Sequence, residues 1–530
     1  MTNEEIKSGT MHLDNVAPDS LEGIPRQCIN PPRWHPKSTD DAKKAGQDDW
    51  RAFVEELEEA GLTIDESHAA CAIFVTDAGG LSYGMPHGVL RPQCVEDISK
   101  VLKAAQRHHV PVTVRGGGLG TEGEAVAFGG LLLDMSSMQR VIDIDKTKMT
   151  ARVEGGIFWH ELAEVLRREG LDYLSAPLNF TSTVGGVLGV GGVDINSPKY
   201  GLSADQAIAL KVVTPTGDVV ECTSTENSDL FERVILGYGQ FGVIAEATLK
   251  IRNFTPMKMR YLYYSNLRSA IEDLRTIVES EASDYSGILT IMDRAITLLV
   301  GFDSKEREKE FIAKTEPKLR GHGEVGFGLR MAVYYAFRPW KLGESFYLLK
   351  RRLTLFPDLQ RREFMDKGEV VDRSVIFSRA VWRHWGSKKM TIPDLSAPED
   401  KFIEAVERGN AVCRKYFKYY TLYCVGIKKK PEANDEHYEM SCVSKDAVNF
   451  AYGCEFEPSC NDGKYSRDQL QSFKNEIYDI GVDMNLSCYR FGGMMKGYIR
   501  RLFGDEVVDR QLKMKREADP AMILNPNTVF

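Results

Sequence analysis

A run of closely spaced glycines constrains this chain more than any other feature. Residues 112–123 read VTVRGGGLGTEG, so an apolar stretch typical of a buried strand leads directly into five glycines. Glycine has no side chain, which lets the backbone turn tightly and point consecutive N–H groups at one anion. The pattern therefore predicts a strand followed by a backbone cradle for phosphate, and a pyrophosphate is the anion that suits it.

The same segment formally matches GxGxxG over residues 118–123, the signature of a Rossmann dinucleotide site. That site needs an amphipathic helix directly after the glycines, because the helix N-terminus holds the phosphates. Here only residues 124–128 precede another glycine pair and the strand-like LLLDM, which leaves no room for the helix. We therefore predict a cradle made by loop backbone alone.

Two further glycine-rich segments follow in the same part of the chain. Residues 183–193 (TVGGVLGVGGV) are apolar but interrupted by so many glycines that we expect neither a stable helix nor a stable strand. Residues 237–243 read GYGQFGV. Each segment alone is equally well explained as a tight turn at a packing site. Taken together, the three predict loops that converge on one extended ligand.

Alternating strand-like and helix-like segments predict an α+β fold. Helical spacing is clear over residues 49–60, 95–108, 158–169 and 505–518, and residues 211–221 form a hairpin pattern around Thr216, Gly217 and Asp218. After about Asn253 the glycines thin out and aromatic residues become frequent. The expected divisions are an extension with one helix (1–67), a glycine-rich unit (68–253), a second α+β unit (254–484) and a C-terminal segment (485–530).

Composition excludes several classes of function. The 530-residue chain has a formal net charge of −8 and only short, scattered basic clusters, which argues against a nucleic-acid partner. No apolar run reaches the roughly 20 residues that span a bilayer, and the N-terminus is polar, so we expect no membrane partner and a cytoplasmic protein. The ten cysteines show no zinc spacing, so neither a metal site nor disulfides are expected.

The order of motifs resembles the FAD domain of the vanillyl-alcohol-oxidase family, also called the PCMH-type flavoproteins. Within that family the likeness to cytokinin dehydrogenases is the most marked. Some of the same region, including KYGL at 199–202, also resembles dehydrosterol reductases. The motifs that carry the main resemblance are GVLRP at 88–92, VRGGG at 114–118, TVGG at 183–186, ENSDLF at 226–231 and GQFGV at 239–243.

The resemblance implies FAD as the cofactor, bound by a two-subdomain PCMH-type domain over 68–253. It also implies an α+β substrate-binding cap over 254–484, which covers the flavin, and a tail over 485–530 that returns to it. The first loop would wrap the pyrophosphate. The implied FAD contacts are Arg115, Gly116, Gly117, Gly118, Leu119, Gly120, Thr121, Thr183, Val184, Gly185, Gly186, Gly189, Gly192, Val193, Gly242, Val243, Tyr489, Asn525 and Asn527.

This chain departs from the family pattern at two positions. Many relatives have a histidine in the first loop that bonds covalently to the flavin, whereas the matching residue here is Leu119. The glycine loops contain no cysteine either, so we expect non-covalent FAD. Where cytokinin dehydrogenases have a catalytic aspartate, this chain has Leu178 and Asn179, and neither side chain serves as a general base.

Tyr489 and Arg490 are therefore the candidate catalytic residues, since relatives bring polar residues to the flavin at this point. Weaker candidates are the cluster of Trp382, His384 and Trp385, and His437. The resemblance implies an oxidoreductase that transfers a hydride from a small organic metabolite to the flavin, and then electrons to molecular oxygen or another acceptor. The alternatives are a reductase of a carbon–carbon double bond and a flavin-binding scaffold or cyclase without net redox chemistry.

Overall fold

The structure is a computed structural model of the 530-residue chain. It contains both helices and several sheets, as an α+β fold requires. The residues that the structure describes are 40–177, 181–255, 258–264, 266–291, 295–320, 393–417, 420–428, 440–441, 443, 448–455, 465–526 and 528–529.

The first layer is a parallel sheet of three strands in the order β1-β3-β2. Its strands are β1 (Gly88–Leu90), β2 (Val112–Arg115) and β3 (Leu131–Asp134). Only Val114 of these strands is partly exposed, and strands buried in this way are typical of parallel sheets, whose two faces are both covered. The covering helices are α1 (Asp40–Glu59), α2 (His68–Ala72) and α3 (Val95–His108).

Helix α3 illustrates why these residues form a helix. Its buried residues Val95, Ile98, Val101, Leu102 and Ala105 recur at helical spacing and pack into the core of this layer. Two acidic residues lie in its first turn and two basic residues in its last, which complements the helix dipole. The helix ends where the backbone of the next residue turns left-handed, and its bounds are those predicted.

The second layer is an antiparallel sheet of six strands, in which β4-β5-β9-β7-β8 form the main order and β6 pairs with β9. The predicted hairpin is confirmed, since Lys211 lies opposite Glu221. The strands are β4 (Val141–Asp145), β5 (Thr150–Glu154), β6 (Leu171–Tyr173), β7 (Ala207–Val213), β8 (Val219–Thr223) and β9 (Val243–Asn253). The helices are α4 (Trp159–Arg168), α5 (Val184–Val190), α6 (Ser197–Tyr200) and α7 (Ser228–Val234).

Our prediction that residues 183–193 are too rich in glycine for a helix is wrong, because α5 lies there. Tertiary contacts override the poor intrinsic propensity. Thr183 caps the helix by accepting the N–H of Gly186 at 3.4 Å, and Val184 and Leu188 are fully buried. A side chain at Gly185 would meet the carbonyl oxygen of Gly155 at 3.0 Å, so glycine lets the helix pack directly on neighbouring backbone.

The third layer is an antiparallel sheet of seven strands in the order β10-β12-β11-β14-β15-β13-β16. Some neighbouring strands of this sheet come from distant parts of the chain, so its assembly depends on long-range pairing. The strands are β10 (Lys258–Tyr264), β11 (Tyr285–Ile291), β12 (Ala295–Phe302), β13 (Asp394–Pro398), β14 (Thr421–Lys428), β15 (Val448–Glu455) and β16 (Ser487–Cys488). The helices are α8 (Leu267–Ser280), α9 (Lys305–Lys314), α10 (Glu399–Tyr416) and α11 (Arg467–Met484).

Apolar packing and charged contacts join the second and third layers. Tyr285 and Val425 of the seven-stranded sheet belong to the same buried cluster as the core of the six-stranded sheet. At the edge of this contact Arg252 donates to Asp303 at 2.9 Å, and Lys199 donates to Asp284 at 2.7 Å. The junction is therefore a packed interface that holds the two sheets in a defined relation.

The chain ends with helices α12 (Lys496–Phe503) and α13 (Asp505–Ala518) and then returns to the first layer. The N–H of Val112 donates to the carbonyl of Ile523 at 2.8 Å, which pairs the tail with β2. The predicted bounds of α13 are confirmed. No helix in the described part of the chain is both long and apolar enough to cross a bilayer.

Candidate active site

The three glycine-rich segments meet at one cavity of about 300 Å³. We call their side of it the glycine wall, formed by residues of 116–120, 183–193 and 239–243. Three polar side chains also line the cavity, those of Tyr423, Tyr489 and Arg490, and we call this group the polar wall. The predicted site residues that line the cavity are Gly116, Gly117, Gly118, Leu119, Gly120, Thr183, Gly185, Gly186, Gly189, Val193, Gly242, Val243, Tyr489, Arg490 and Asn525.

The first loop leaves β2 and follows a path that only glycine permits. Gly118 has a φ of +65°, and a side chain at Gly117 would meet the carbonyl oxygen of Thr181 at 2.5 Å. A side chain at Gly116 would overlap Thr183 Oγ1. Among the residues described, the N–H groups of Gly117, Gly118 and Gly120 have no hydrogen-bond acceptor. Backbone donors without acceptors beside a cavity suit an anionic ligand.

The second segment contributes the surface of α5 rather than the donors of its first turn. The N–H of Val184 donates to Ile157 O at 2.9 Å, and the N–H of Gly185 donates to Gly155 O at 2.7 Å. Thr183 Oγ1 accepts the next donor, from Gly186. The helix therefore offers the cavity a flat surface of glycine and valine and leaves anion binding to the first loop.

The third segment is held in place by the chain's tail. Asn525 accepts the N–H of Val114 at 2.7 Å and donates to the carbonyl of Gly239 at 2.6 Å. One side chain thus ties β2 to the third segment across the cavity's edge. Gly242 and Val243 line the cavity just beyond this tie.

Arg115 and Thr121 lie behind the first loop and not on the cavity wall. The guanidinium of Arg115 donates to Ala125 O at 3.1 Å and lies over the ring of Phe74. Its planar group fills the space beneath Gly118, where any side chain would collide with it. The carbonyl of Thr121 accepts from the buried ammonium of Lys474 at 3.3 Å. Both residues therefore shape the loop from behind.

Val184 and Gly192 also lie outside the cavity wall. Val184 is fully buried in the core of the six-stranded sheet. The N–H of Gly192 donates to the phenol oxygen of Tyr489 at 3.0 Å, so Tyr489 tethers the second segment from the polar wall. Asn527 and the pair Leu178 and Asn179 lie outside the described residues.

The register of strands in the seven-stranded sheet positions the side chains of the polar wall. In the seven-stranded sheet Gly453 lies opposite Tyr423 on one side and opposite Asp394 on the other. Because Gly453 has no side chain, the ring of Tyr423 lies across it and reaches the far strand. The Tyr423 hydroxyl donates to Asp394 Oδ2 at 3.2 Å. Arg490 follows β16, the strand next to β13, so all three polar groups meet at one end of the sheet.

Asp394 is a buried carboxyl with incomplete pairing. Arg490 Nη1 lies 3.6 Å from Asp394 Oδ2, beyond hydrogen-bonding distance, and has no acceptor among the described residues. Burial raises the pKa of Asp394 to about 6, against the opposing effect of Arg490 and with a further contribution from the charge of Glu122. Burial, followed by the charge of Asp394, raises the pKa of Tyr423 well above its usual range.

A second group of acids lies beneath the first loop. Glu122 and Lys474 form a buried ion pair, with Glu122 Oε2 2.5 Å from Lys474 Nζ. Asp77 accepts the N–H of Gly123 at 2.7 Å, and burial raises its pKa to about 6. Glu124 lines the cavity, and burial together with the charges of Asp77 and Glu122 raises its pKa to about 8. Glu124 is therefore mostly protonated at neutral pH.

Sequence reasoning did not find Glu124, Tyr423 or Asp394. Glu124 follows directly on the first loop and is acidic in an otherwise apolar stretch, which is a usable signal. Tyr423 and Asp394 carry no such signal, because only strand register brings them together. Of the weaker candidates, Trp382, His384, Trp385 and His437 lie outside the described residues.

Comparison with known proteins agrees with this geometry. A family model described as an FAD binding domain matches residues 86–223. Over 464 residues the chain is 36% identical to the mitochondrial D-lactate dehydrogenase [cytochrome] of Arabidopsis thaliana, which is 84% of this chain and 74% of that protein. The chain belongs to the FAD-binding PCMH-type (vanillyl-alcohol-oxidase) family. FAD is its cofactor.

Two other members of the family are also similar to this chain. The glycolate oxidase subunit GlcD of Bacillus subtilis is 27% identical over 502 residues, 88% of this chain and 94% of that subunit. Cytokinin dehydrogenase 3 of Oryza sativa subsp. japonica is 30% identical over 261 residues, 46% of this chain and 49% of that enzyme. The chain thus spans about half the length of the cytokinin dehydrogenase and most of the length of the other two.

The residues of the cavity fit a flavin dinucleotide. The first-loop N–H groups that find no acceptor in the described part of the chain suit the pyrophosphate, and the glycines keep open the space that side chains would fill. Arg490 offers a guanidinium N–H without an acceptor, which suits an anionic or carbonyl oxygen of a ligand. When bound, the flavin supplies a two-electron acceptor, and the protein supplies orientation and proton handling.

Proposed function

We propose that this protein is an FAD-dependent dehydrogenase or oxidase that removes a hydride from a small hydroxy acid. The observation that carries the proposal is the cavity with two unlike walls. Backbone of the first loop and the side chains of Arg490 and Tyr423 line the same cavity. This arrangement leaves a place for a flat cofactor against backbone and for a polar substrate against side chains.

We also propose that each part of the fold has a separate role. The three-stranded and six-stranded sheets (68–253) form the two subdomains that hold FAD, and the seven-stranded sheet belongs to a cap (254–484) that presents Tyr423 to the substrate. The final segment (485–530) returns Tyr489, Arg490 and Asn525 to the cavity. The hydrogen bonds from Gly192 to Tyr489 and from Asn525 to Gly239 support this division, because they join the tail to the FAD loops.

We propose that FAD is bound without a covalent link. Leu119 occupies the cavity where many relatives have a histidine, and its side chain has no nucleophilic atom. Among the described residues that line the cavity, none is histidine or cysteine. Non-covalent binding then depends on the backbone donors of the first loop and on the fit of α5.

Arg490 and the relatives of this chain both favour a hydroxy acid as the substrate. A guanidinium N–H without an acceptor on the polar wall is suited to a substrate carboxylate. Two relatives that align over most of their length are named for D-lactate and glycolate, which are both hydroxy acids. The electron acceptor is molecular oxygen or another oxidant, as it is for a flavoprotein oxidase or dehydrogenase respectively.

The experiment starts with the purified protein's visible spectrum and with acid precipitation. Yellow colour in the supernatant is expected, while colour in the pellet would contradict a non-covalent cofactor. The oxidised protein is then mixed without oxygen with D-lactate, glycolate or a cytokinin, and flavin absorbance is followed. Bleaching by D-lactate or glycolate is expected. Bleaching by the cytokinin alone would contradict the hydroxy-acid class, and bleaching by none of the probes would contradict the proposed function.

A further inference from the structure

The polar wall contains a hydrogen-bonded pair that leads from the cavity into a closed interior. Tyr423 lines the cavity, whereas Asp394 behind it is only 1% exposed. The phenol donates to the carboxylate at 3.2 Å, within the range in which a proton passes between two oxygens. The second carboxylate oxygen, Asp394 Oδ1, has no hydrogen-bond partner among the described residues.

The sheet is built so that this pair forms. Tyr423 and Asp394 lie on strands that are not neighbours, and Gly453 on the intervening strand leaves room for the ring. A side chain at Gly453 would meet the Tyr423 hydroxyl oxygen at 2.5 Å. The carboxyl also lies close to Arg490, a second lining residue of the cavity. The pair is therefore a specific contact across three strands.

We propose that Tyr423 and Asp394 form a proton relay that accepts the hydroxyl proton of the substrate. The inference rests on the proposed function, because it assigns the proton of that same reaction. Tyr423 is the catalytic residue, since it contacts the substrate. Asp394 acts through Tyr423 and is the final proton acceptor.

With this relay, each bond broken and each proton moved in the reaction is accounted for. The substrate C–H bond breaks and its electron pair leaves with hydrogen as hydride, for which bound FAD is the oxidant. The substrate O–H bond breaks as its proton moves to the Tyr423 oxygen, and the proton of Tyr423 moves to Asp394 Oδ2. The substrate becomes a carbonyl compound, and the phenol is neutral before and after. A phenol held neutral by burial cannot act as a base alone, so the carboxylate is required.

Charged or titratable groups from four parts of the chain lie near Asp394. Arg490 approaches from the segment after β16, Tyr423 from β14, Glu122 from the first loop and Tyr478 from α11. The pKa of Asp394 is raised to about 6 because burial and Glu122 outweigh Arg490, the Tyr423 hydrogen bond and the backbone N–H of Tyr489. The carboxyl is therefore ionised at neutral pH and can accept a proton.

The first test compares rates of flavin bleaching for variants of both residues. Tyr423→Phe and Asp394→Asn are each expected to slow bleaching by about a hundredfold or more. The probe is whichever of D-lactate and glycolate bleaches the wild type faster. In the wild type the rate should rise as pH increases through about 6, because Asp394 must be ionised, and Asp394→Asn should lack this rise.

A second tyrosine–aspartate pair of the same sheet region supplies matched controls. The Tyr264 hydroxyl donates to Asp273 at 2.7 Å, and both residues are buried. Neither residue lines the cavity described above. Tyr264→Phe and Asp273→Asn remove the same chemical groups and should bleach close to the wild-type rate.

The second test needs neither substrate nor turnover. The folded-state pKa of Asp394 is raised, so the folded state favours the protonated carboxyl and loses stability as pH rises from about 4 to about 6. Asparagine cannot ionise. The melting temperature of Asp394→Asn minus that of the wild type should therefore increase over this range and then level off. Tyr423→Phe retains Asp394 and should keep the fall in stability with pH, shifted to higher pH because the hydrogen bond that lowers the pKa of Asp394 is lost.

The outcomes separate the relay from the proposed function. If no probe bleaches the wild type, the proposed function fails and the relay with it. If the wild type bleaches but both variants retain its rate, the relay alone is overturned. A difference in melting temperature that does not change with pH would show that Asp394 does not titrate with a raised pKa, and a rise of the bleaching rate through pH 6 would then have to come from another group, which would overturn Asp394 as the acceptor that titrates near pH 6.

Discussion

On the glycine wall, Gly117, Gly118 and Gly120 present backbone N–H groups to the cavity, whereas on the polar wall Tyr423 and Arg490 present side chains. The first loop obtains its shape from neighbours in sequence, since five glycines occur within residues 112–123. The polar wall obtains its shape from strands that are far apart in the chain. The first loop is thus encoded locally, while the polar wall is encoded by tertiary pairing.

The difference is not absolute, because the glycine wall also has a distant support. Asn525 joins β2 to the third glycine segment, and buried Lys515 and Asp519 hold the tail that carries it. Lys515 donates to the carbonyls of Gln240 and Leu524 at 2.8 and 2.9 Å. Removing this support tests how local the glycine wall is.

Lys515→Met is expected to have the largest effect on stability. It leaves the carboxylate of Asp519 buried without its cation, which costs about 3–5 kcal/mol. The free energy of unfolding from a urea titration measures the loss, and flavin content measures its consequence for the glycine wall. Lys513→Met is the control, because Lys513 is exposed on the same helix. Unchanged stability would contradict the role of the buried ion pair, and unchanged flavin content would mean that the tail contributes nothing to the wall.

Gly116→Ala is expected to weaken FAD binding by about tenfold or more, since the added methyl overlaps Thr183 and overpacking of this kind costs about 1–3 kcal/mol. The ratio of flavin to protein absorbance after purification provides the measurement. Gly497→Ala is the matched control, because a side chain there meets nothing within 4 Å. Full flavin content in Gly116→Ala would contradict the role of close packing in the first loop.

Gly453→Ala makes the same substitution beside Tyr423 of the polar wall. The added methyl collides with the ring of Tyr423, so the phenol should move away from Asp394. Bleaching by the best probe should slow by about tenfold, the equivalent of about 1.4 kcal/mol, while flavin content stays normal. If Gly453→Ala lost flavin as Gly116→Ala is expected to, the two walls would not be separable in function.

Glu124→Gln is expected to have the smallest effect, visible as a change in pH dependence. The pKa of Glu124 is raised to about 8, so its carboxyl is neutral below that pH and becomes anionic above it. An anion beside the pyrophosphate repels it, so FAD affinity in the wild type should fall as pH rises through about 8. Fluorescence titration of FAD at pH 7 and 9 measures the change. Glutamine should abolish it, and persistence in the variant would assign it elsewhere.

Sequence patterns predicted the local elements well where one periodic face dominates. Helix α3 has the predicted bounds because its apolar residues recur at helical spacing between terminal charges of the appropriate sign. The predicted hairpin also formed, with Lys211 opposite Glu221. The prediction failed for α5, because contacts with Gly155 and Ile157 outweigh the low helix propensity of glycine.

The sequence by itself determined the glycine-rich first loop, its suitability for a pyrophosphate and the absence of a histidine at position 119, since each depends on residues that are adjacent in the chain. Only the tertiary structure decided that Tyr423 reaches Asp394 and that Asn525 joins two glycine segments. The physical reason is the separation along the chain of the residues that decide each feature. Backbone conformation follows from neighbouring residues, whereas the pairing of distant strands follows from the packing of the whole sheet.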